Sequence, residues 1–410
     1  MVSIDGGTVK LDGNYPTGTN NVALGNTALD SLTSGNENTA IGAVALTANT
    51  SGCYNVAVGD NALAANTTGN DNTTIGMRSL LNNTTGINNT GVGRNALREN
   101  TTAAKNTAVG SSSLACNTTG TRNTAVGFCS LTTNTTGDDN TAFGTESLRA
   151  NTTGANNVAV GKNALVANTT GDENTAVGCN TLGANTTADN NTAIGAFALD
   201  TNTEGHSNVA VGRSALTANT TADNNTAVGF SALSTNTTGA DNAAFGRRAL
   251  NSNTTAAQNV AIGTCALYTT TTGANNTSVG NYSSKLNTTG ASNVAIGYAA
   301  LCTNTTGAEN VAVGKDSLKA STTASSNTAV GCAALFGATT GGANTAMGIY
   351  AGYRVTTGSS NALFGYNAGA NITTGISNHV LGSSAGTDAV FNVTSENNRI
   401  VVGNNNATNA

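Results

Sequence analysis

The feature that most constrains this chain is a 17-residue repeat that runs through nearly all of it without an insertion. A glycine follows an apolar triplet at Gly25 and then at every seventeenth residue to Gly382, which gives 22 copies. A fixed period of this kind is the signature of stacked repeats, in which each copy is one structural unit. We number the positions of each copy 1 to 17 from the clearest one, residues 55–71, which reads NVAVGDNALAANTTGND.

The pattern within one copy predicts β-structure. Positions 2 to 4 form a short apolar segment closed by glycine at position 5, and a second short segment, Ala-Leu, occupies positions 8 and 9. Such short segments between Gly and Asn corners are too short for helices. The sequence therefore predicts an all-β fold, a parallel β-solenoid or β-roll of about 22 coils, in which each backbone group pairs with the coils above and below.

A constant period places identical side chains in columns. Asn38, Asn55 and Asn72 form one predicted ladder at position 1, and Asn66 and Asn83 form another at position 12. Stacked amides hydrogen-bond along such a column, as in cross-β assemblies. The alternative, that these asparagines only favour turns, also requires the solenoid. The Leu column at position 9 is predicted to fill the coil interior, and the small residue at position 3 indicates a sterically tight strand face.

Composition limits the core and the partners. The chain has 38% hydrophobic, 4% aromatic and 9% charged residues, which fits a thin core repeated many times. Its net charge of −5 argues against nucleic acid as a partner, and no apolar run approaches a membrane span. Because a thin coil buries little apolar surface, we expect the Val and Ile column at position 4 to be buried against another copy of the chain.

The two ends depart from the repeat and define the predicted domains. Residues 1–19 are an expected N-terminal cap or joint, residues 20–386 form the solenoid, and residues 387–410 form a C-terminal cap or assembly segment. Within the first segment, residues 2–4 and 8–11 read as two short strands around a Gly-Gly pair. Near the other end, glycine replaces leucine at position 9 and aromatic residues cluster.

The sequence contains no recognisable set of catalytic residues. The two histidines, His206 at a corner and His379 at strand position 2, lie far apart in the repeat, and no nucleophile recurs near either. No phosphate-binding, dinucleotide or zinc motif is present. We therefore expect no enzyme activity and no cofactor.

Cysteines, acidic corners and threonines are the remaining candidate site residues. Seven cysteines are an odd number, and those that share a phase lie eight or nine coils apart, too far for a disulfide. Asp138-Asp139 and Asp172-Glu173 are acidic corners, but the calcium-solenoid motif is absent, so no metal site is expected. Thr67 and Thr68 are adjacent and point in different directions, which disfavours a flat ice-binding face.

Position 12 also begins a glycosylation pattern. Fourteen coils carry Asn-Thr-Thr or Asn-Thr-Ser there, which is the N-glycosylation acceptor sequence and is expected on an exposed turn. In a host that glycosylates, sugars would then follow one edge of the solenoid. The candidate residues are Asn49, Asn66, Asn83, Asn100, Asn117, Asn134, Asn151, Asn168, Asn185, Asn219, Asn236, Asn253, Asn287 and Asn304.

These repeats carry a family resemblance. Asn-Thr-Ala-Val-Gly at 123–127 resembles the head repeat of trimeric autotransporter adhesins, which are left-handed parallel β-rolls wound by three chains. The longer unit, with Ala-Leu and Asn-Thr-Thr-Gly, is similar to repeats of phage and viral tail-fibre proteins, where a segment similar to 398–403 precedes a cleaved intramolecular chaperone domain. The resemblance implies a structural protein located outside the cell, on the cell surface or on a virion.

Two functional hypotheses follow. In the first, the repeats form the shaft of a tail-fibre or adhesin-like rod, a homotrimer about 100 Å long from ~22 coils at ~4.8 Å, which presents an end to a cell-surface glycan or receptor. In the second, residues 1–19 of one subunit pack on residues 387–410 of the next, giving a head-to-tail extracellular filament that carries N-glycans.

Overall fold

The structure, a computed structural model, describes residues 9–10, 18–388 and 392–403. The chain splits into two compact units, Met1–His206 and Ser207–Ala410. The described residues contain strands and turns and no helix. The predicted parallel β-solenoid of about 22 coils with 17 residues per coil is confirmed.

Each coil contributes one strand, and nearly all strands have three residues. The first unit contains β1 Val9–Lys10, β2 Val22–Leu24, β3 Thr39–Ile41, β4 Val56–Val58, β5 Thr73–Ile75, β6 Thr90–Val92, β7 Thr107–Val109, β8 Thr124–Val126, β9 Thr141–Phe143, β10 Val158–Val160, β11 Thr175–Val177 and β12 Thr192–Ile194. The second unit contains β13 Val209–Val211, β14 Thr226–Val228, β15 Ala243–Phe245, β16 Val260–Ile262, β17 Thr277–Val279, β18 Val294–Ile296, β19 Val311–Val313, β20 Thr328–Val330, β21 Thr345–Met347, β22 Ala362–Phe364, β23 His379–Leu381 and β24 Ile400–Val402.

From β2 onward, successive strands within each unit pair in parallel and in register. In the first unit Val56 lies opposite Thr73, and in the second Val209 lies opposite Thr226. Side chains alternate across a strand, so position 3 is buried while positions 2 and 4 face outward, as the burial pattern of β4 shows. A constant 17-residue offset therefore keeps each side-chain column intact along each unit.

The interior is thin, and two of its five side chains per coil are amides. The Leu side chains at position 9, such as Leu63 and Leu165, are fully buried, as expected. The small residues at positions 3 and 8, exemplified by Ala57 and Ala62, are also fully buried. The asparagines at positions 1 and 12 complete the interior. The core thus consists of one leucine, two small residues and two amides per coil.

The Ala-Leu segment is a turn rather than a second strand. Its leucine has left-handed backbone torsion in nearly every coil, with φ 52° at Leu63, and position 7 does the same, with φ 54° at Asn61. Left-handed backbone costs an L-residue roughly 1–2 kcal/mol. Hydrogen bonds between coils hold this geometry: the Leu63 amide donates to the Ser79 carbonyl at 2.9 Å. Burial of the leucine side chain further offsets the cost.

In the last coils the large interior side chain is no longer at position 9 but at positions 3 and 12. Glycine replaces leucine at position 9, where φ is 62° at Gly352 and 59° at Gly369, so the left-handed turn is no longer strained. A Cβ at Gly352 would lie 2.7 Å from Leu363 Cδ1, which occupies the vacated volume. Larger side chains fill the interior from positions 3 and 12: Leu363 and Val380, then Val355, Ile372 and Val393.

The first and last strands join the neighbouring coils in different ways. Strand β1 pairs antiparallel with β2, Val9 opposite Leu24, so the first coil has a strand on its outer edge. At the other end the spacing lengthens once to 21 residues, and the Arg399 amide donates to Asn378 Oδ1 at 3.0 Å. The predicted strand at 2–4, most of the 1–19 segment, residues 389–391 and residues 404–410 lie outside the described residues.

A glycine pair tests the role of backbone torsion. Gly161, at position 5, has φ 130°. We expect Gly161→Ala to destabilise the protein by about 1–3 kcal/mol, because this torsion is open only to glycine. The matched control is Gly171→Ala at position 15. An added Cβ would lie 2.5 Å from a backbone carbonyl oxygen at both positions, but φ is not positive at Gly171, and five coils already carry alanine at position 15, such as Ala188.

Thermal unfolding followed by circular dichroism measures both variants. The midpoint should fall for Gly161→Ala and stay near the parent value for Gly171→Ala. Equal midpoints for the two variants would contradict the assignment of position 5 as a required glycine.

Candidate functional site

The fourteen predicted sequon asparagines all lie in the interior. Each is at most 1% exposed, so the expectation that position 12 lies on an exposed turn is wrong. The exposed member of the Asn-Thr-Thr triplet is the residue at position 14, such as Thr68. The neighbouring hydroxyl at position 13 donates to the next coil, Thr67 Oγ1 to the Thr84 carbonyl at 3.1 Å.

Interior amides at position 12 form the predicted ladder. Asn66 Nδ2 donates to Asn49 Oδ1 in the preceding coil and to the Gly69 carbonyl of its own coil, each at 3.0 Å. A sugar on this nitrogen would replace one of its two N–H donors and have no space in the interior. Because an unpaired buried amide is costly, the ladder is a structural element in which each coil satisfies its neighbour.

A second ladder runs through position 1. The Asn55 side chain donates to Asn38 Oδ1 at 3.1 Å and to the Gly69 carbonyl at 2.9 Å. The Asn55 backbone amide donates to the same Asn38 oxygen at 3.1 Å. One amide thus ties two coils together through side chain and backbone.

The position-12 ladder is interrupted twice in the second unit. Thr270 and Ser321 stand where other coils have asparagine, and neither hydroxyl has a hydrogen-bond partner. The amide oxygen one coil before each, in Asn253 and Asn304, is also buried without a partner. The shorter hydroxyl side chains do not reach the neighbouring amides, so each substitution leaves two unsatisfied polar atoms.

An apolar column runs along the outside of each unit at position 4. Every residue there is Val, Ile, Leu, Phe or Met from β2 to β24. Phe143 is 57% exposed and Phe245 is 40% exposed. We call this column the outer stripe. It contains eleven successive side chains in each unit, Leu24 to Ile194 and Val211 to Leu381, and Val402 follows on β24. Monomeric proteins rarely leave so long an apolar patch uncovered.

The acidic corners act on backbone groups and on a neighbouring arginine. Asp138 Oδ1 accepts hydrogen bonds from the Thr121 amide at 2.6 Å and its hydroxyl at 2.9 Å. Arg122 binds Asp139 through two bonds, of 2.6 and 2.7 Å. This hydrogen bond lowers the pKa of Asp139 and raises the pKa of Arg122. Both side chains are exposed, so the pair contributes little to stability.

Position 16 supplies a side-chain cap for a backbone N–H that the strand pairing leaves free. Asp172 Oδ1 accepts from the Ala155 amide at 2.7 Å, and His206 Nδ1 accepts from the Asp189 amide at 2.9 Å. These corner residues therefore have a local structural role. Within the described ranges no cluster of three or more His, Cys, Asp or Glu side chains could hold a metal ion.

The remaining sequence candidates do not form a reactive group. His206 lies at a corner in the first unit, and His379 lies on the outer face of β23 in the second. All seven cysteines are free, as the repeat phases predicted. Burial raises the pKa of the Cys302 thiol, which disfavours the reactive thiolate.

Comparisons with known proteins give no assignment, since no protein-family model and no curated protein matches the chain. In the part of the chain that the structure describes, no helix has the length and apolar character to cross a membrane. The class defined by the fold is therefore a parallel β-solenoid with tandem repeats and asparagine ladders.

Restoring the ladder should stabilise the protein. In Thr270→Asn, the new amide can donate to Asn253 Oδ1 and accept from Asn287 Nδ2, which removes unsatisfied polar atoms. We expect a gain of about 1–3 kcal/mol, seen as a higher midpoint of thermal or denaturant unfolding. Thr272→Asn, at the exposed position 14, is the matched control and should leave the midpoint unchanged. A lower midpoint for Thr270→Asn would contradict the ladder geometry.

The sequons provide an independent test of burial. When the chain is secreted from a glycosylating host, we expect the folded protein to carry no sugar on the fourteen position-12 asparagines, because their side-chain nitrogens are buried. Asn281, in the sequence Asn-Tyr-Ser, is exposed and serves as an internal control. Peptide mass spectrometry reads out each site. Sugar on Asn66 or Asn168 in protein that remains folded would show that position 12 faces outward.

Proposed function

We propose that this chain is the repeat shaft of an extracellular structural fibre, and that copies of it pack side by side through the outer stripe. The observation that supports this proposal is the exposed apolar column at position 4, which repeats at every coil. At a strand spacing of ~4.8 Å, the eleven stripe residues of one unit extend for roughly 50 Å. Burying them removes apolar surface from water, which stabilises both the coil and the assembly.

A second copy of the chain is the partner that suits this stripe. The apolar side chains recur at one strand spacing, so a partner must present matching side chains with the same period over the same distance. An identical solenoid meets this requirement. Three chains follow from the resemblance to trimeric adhesin heads and tail fibres, and a homotrimer would bring three stripes to a common axis.

The alternative is a head-to-tail filament. Its support is the exposed last strand β24, where Ile400 is 79% exposed and Val402 is 72% exposed. An open strand edge of this kind favours addition of another strand. At the other end of the chain, however, β1 pairs with β2 and already occupies the edge of the first coil. End-to-end stacking would have to displace it, so the side-by-side shaft is the better supported proposal.

In this proposal the shaft has no enzyme activity and binds no cofactor. Its place is outside the cell, on a cell surface or a virion, and its partners are further copies of itself and a receptor or glycan at the cell surface. The glycan-coated form of the filament loses its main argument, because the sequon asparagines are buried.

Charge placed on the outer stripe tests the assembly. We expect the parent protein to sediment as a trimer and the double variant Phe143→Glu, Phe245→Glu to sediment as a monomer, because glutamate cannot be buried without a partner. Its dissociation constant should rise at least tenfold. Thr153→Glu is the matched control, since position 14 is exposed and already holds Glu204 in another coil. Analytical ultracentrifugation gives the masses and circular dichroism monitors the fold.

Electron microscopy of the same samples separates the two proposals. Uniform rods of the length expected from the repeat count support the shaft. Continuous fibrils of indefinite length would overturn it in favour of the filament, and a monomeric parent protein would overturn both.

A further inference from the structure

A stack of aromatic rings ends abruptly in the second unit. Position 10 carries Lys319, Phe336, Tyr353, Ala370 and Thr387 in five successive coils. Phe336 and Tyr353 stack with centroids 5.1 Å apart and planes 17° apart, and Lys319 Nζ lies 5.7 Å from the Phe336 centroid. The next place in the column belongs to Ala370, whose methyl group leaves the space of a ring unfilled.

A groove of about 530 Å³ lies at this place. Two further tyrosines line the groove: Tyr350 meets Tyr353 edge to face with centroids 5.5 Å apart, and Tyr366 meets Tyr350 in the same way at 6.4 Å. Tyr350 is 39% exposed and Tyr366 is 51% exposed. The volume lies in the range of small-molecule sites in proteins, and all residues that line the groove belong to the second unit of one chain.

Polar groups form the rest of the groove. Arg354 Nη1 donates to Asn371 Oδ1 at 3.4 Å, a long contact that leaves most of its five donors unused. Asn371 Nδ2 donates to Asn392 Oδ1 at 2.9 Å, which fixes the orientation of its amide. Asn367 and Thr387 also line the groove. Among the described residues Arg354 forms no ion pair.

We propose that this groove binds a saccharide ring that carries a carboxylate. One face of a pyranose is made of C–H groups and packs on an aromatic ring, which suits the vacant place next to Tyr353. Its rim of hydroxyl groups matches the amides and hydroxyls around the groove. The guanidinium of Arg354 recognises a carboxylate through two parallel hydrogen bonds. A flat aromatic ligand would satisfy the ring place and leave these polar groups without partners.

The saccharide site gives a chemical class to the cell-surface glycan of the proposed function, and it is distinct from the assembly surface. Its residues occupy positions 6, 7, 10 and 11, whereas the outer stripe is position 4. Binding to the groove and assembly through the stripe are therefore measured separately, and either can fail without the other.

Filling the vacant place provides the sharpest test. Ala370→Phe continues the ring stack, so the protein should stay folded while the groove is blocked. Saturation-transfer NMR and titration with glucuronic acid, N-acetylneuraminic acid and glucose measure binding to the full-length protein. We expect an acidic sugar to bind the parent more tightly than glucose, and Ala370→Phe to weaken that binding at least tenfold. Val166→Phe, at position 10 of a distant coil, is the matched control and should bind as the parent does.

Two further variants assign the roles within the groove. Arg354→Gln should reduce binding of the acidic sugar to the level of glucose, whereas Tyr353→Phe keeps the ring and should retain most of the affinity. The proposal is overturned if the parent binds none of the three sugars. It is also overturned if Ala370→Phe binds like the parent, or if Val166→Phe loses binding to the same extent.

Discussion

The constant length of the coil is the constraint on which the rest of the structure depends. Backbone pairing and interior amides both need partners from the adjacent coil: the Val56 amide donates to the Asn72 carbonyl at 2.8 Å, and Asn72 Nδ2 donates to Asn55 Oδ1 at 3.1 Å. One extra residue between a strand and a ladder position would move the following side chains of that coil out of both columns. The single lengthened spacing in the described chain comes after Gly386, where only the last strand follows.

Much of this architecture could be predicted from the sequence because a period reports directly which residues share a column. The strand at positions 2 to 4, the two amide ladders, the buried leucines and the unpaired cysteines all follow from phase alone. The period does not report whether a corner residue points inward. The sequon at position 12 looks exposed because Asn-rich corners usually lie on the surface, but here Asn66 and its equivalents turn into the coil, where the adjacent coils supply their partners.

The sequence pattern also could not predict the left-handed backbone torsion of the position-9 leucines. Bulky residues seldom adopt positive φ, so Ala-Leu reads as a strand segment until the hydrogen bond from Leu63 to the next coil is seen. The glycines at position 9 of the last coils are the sequence feature that indicates this torsion. Gly352 and Gly369 take the same torsion as the leucines they replace, so the glycine variant marks a backbone that the leucines adopt under strain.

In the same coils the position-12 ladder ends, whereas the position-1 ladder continues to Asn378, whose oxygen accepts from the Arg399 backbone amide. A buried amide needs a partner on each side, and the orphaned oxygen of Asn304 shows what happens where the next coil does not supply one. From Ala338 onward position 12 is apolar, and an apolar side chain loses nothing when no coil follows. Columns fixed by stacking leave little freedom for specific recognition. That freedom remains at the corner positions, where the ring column of Phe336 and Tyr353 ends at Ala370 and leaves an open groove.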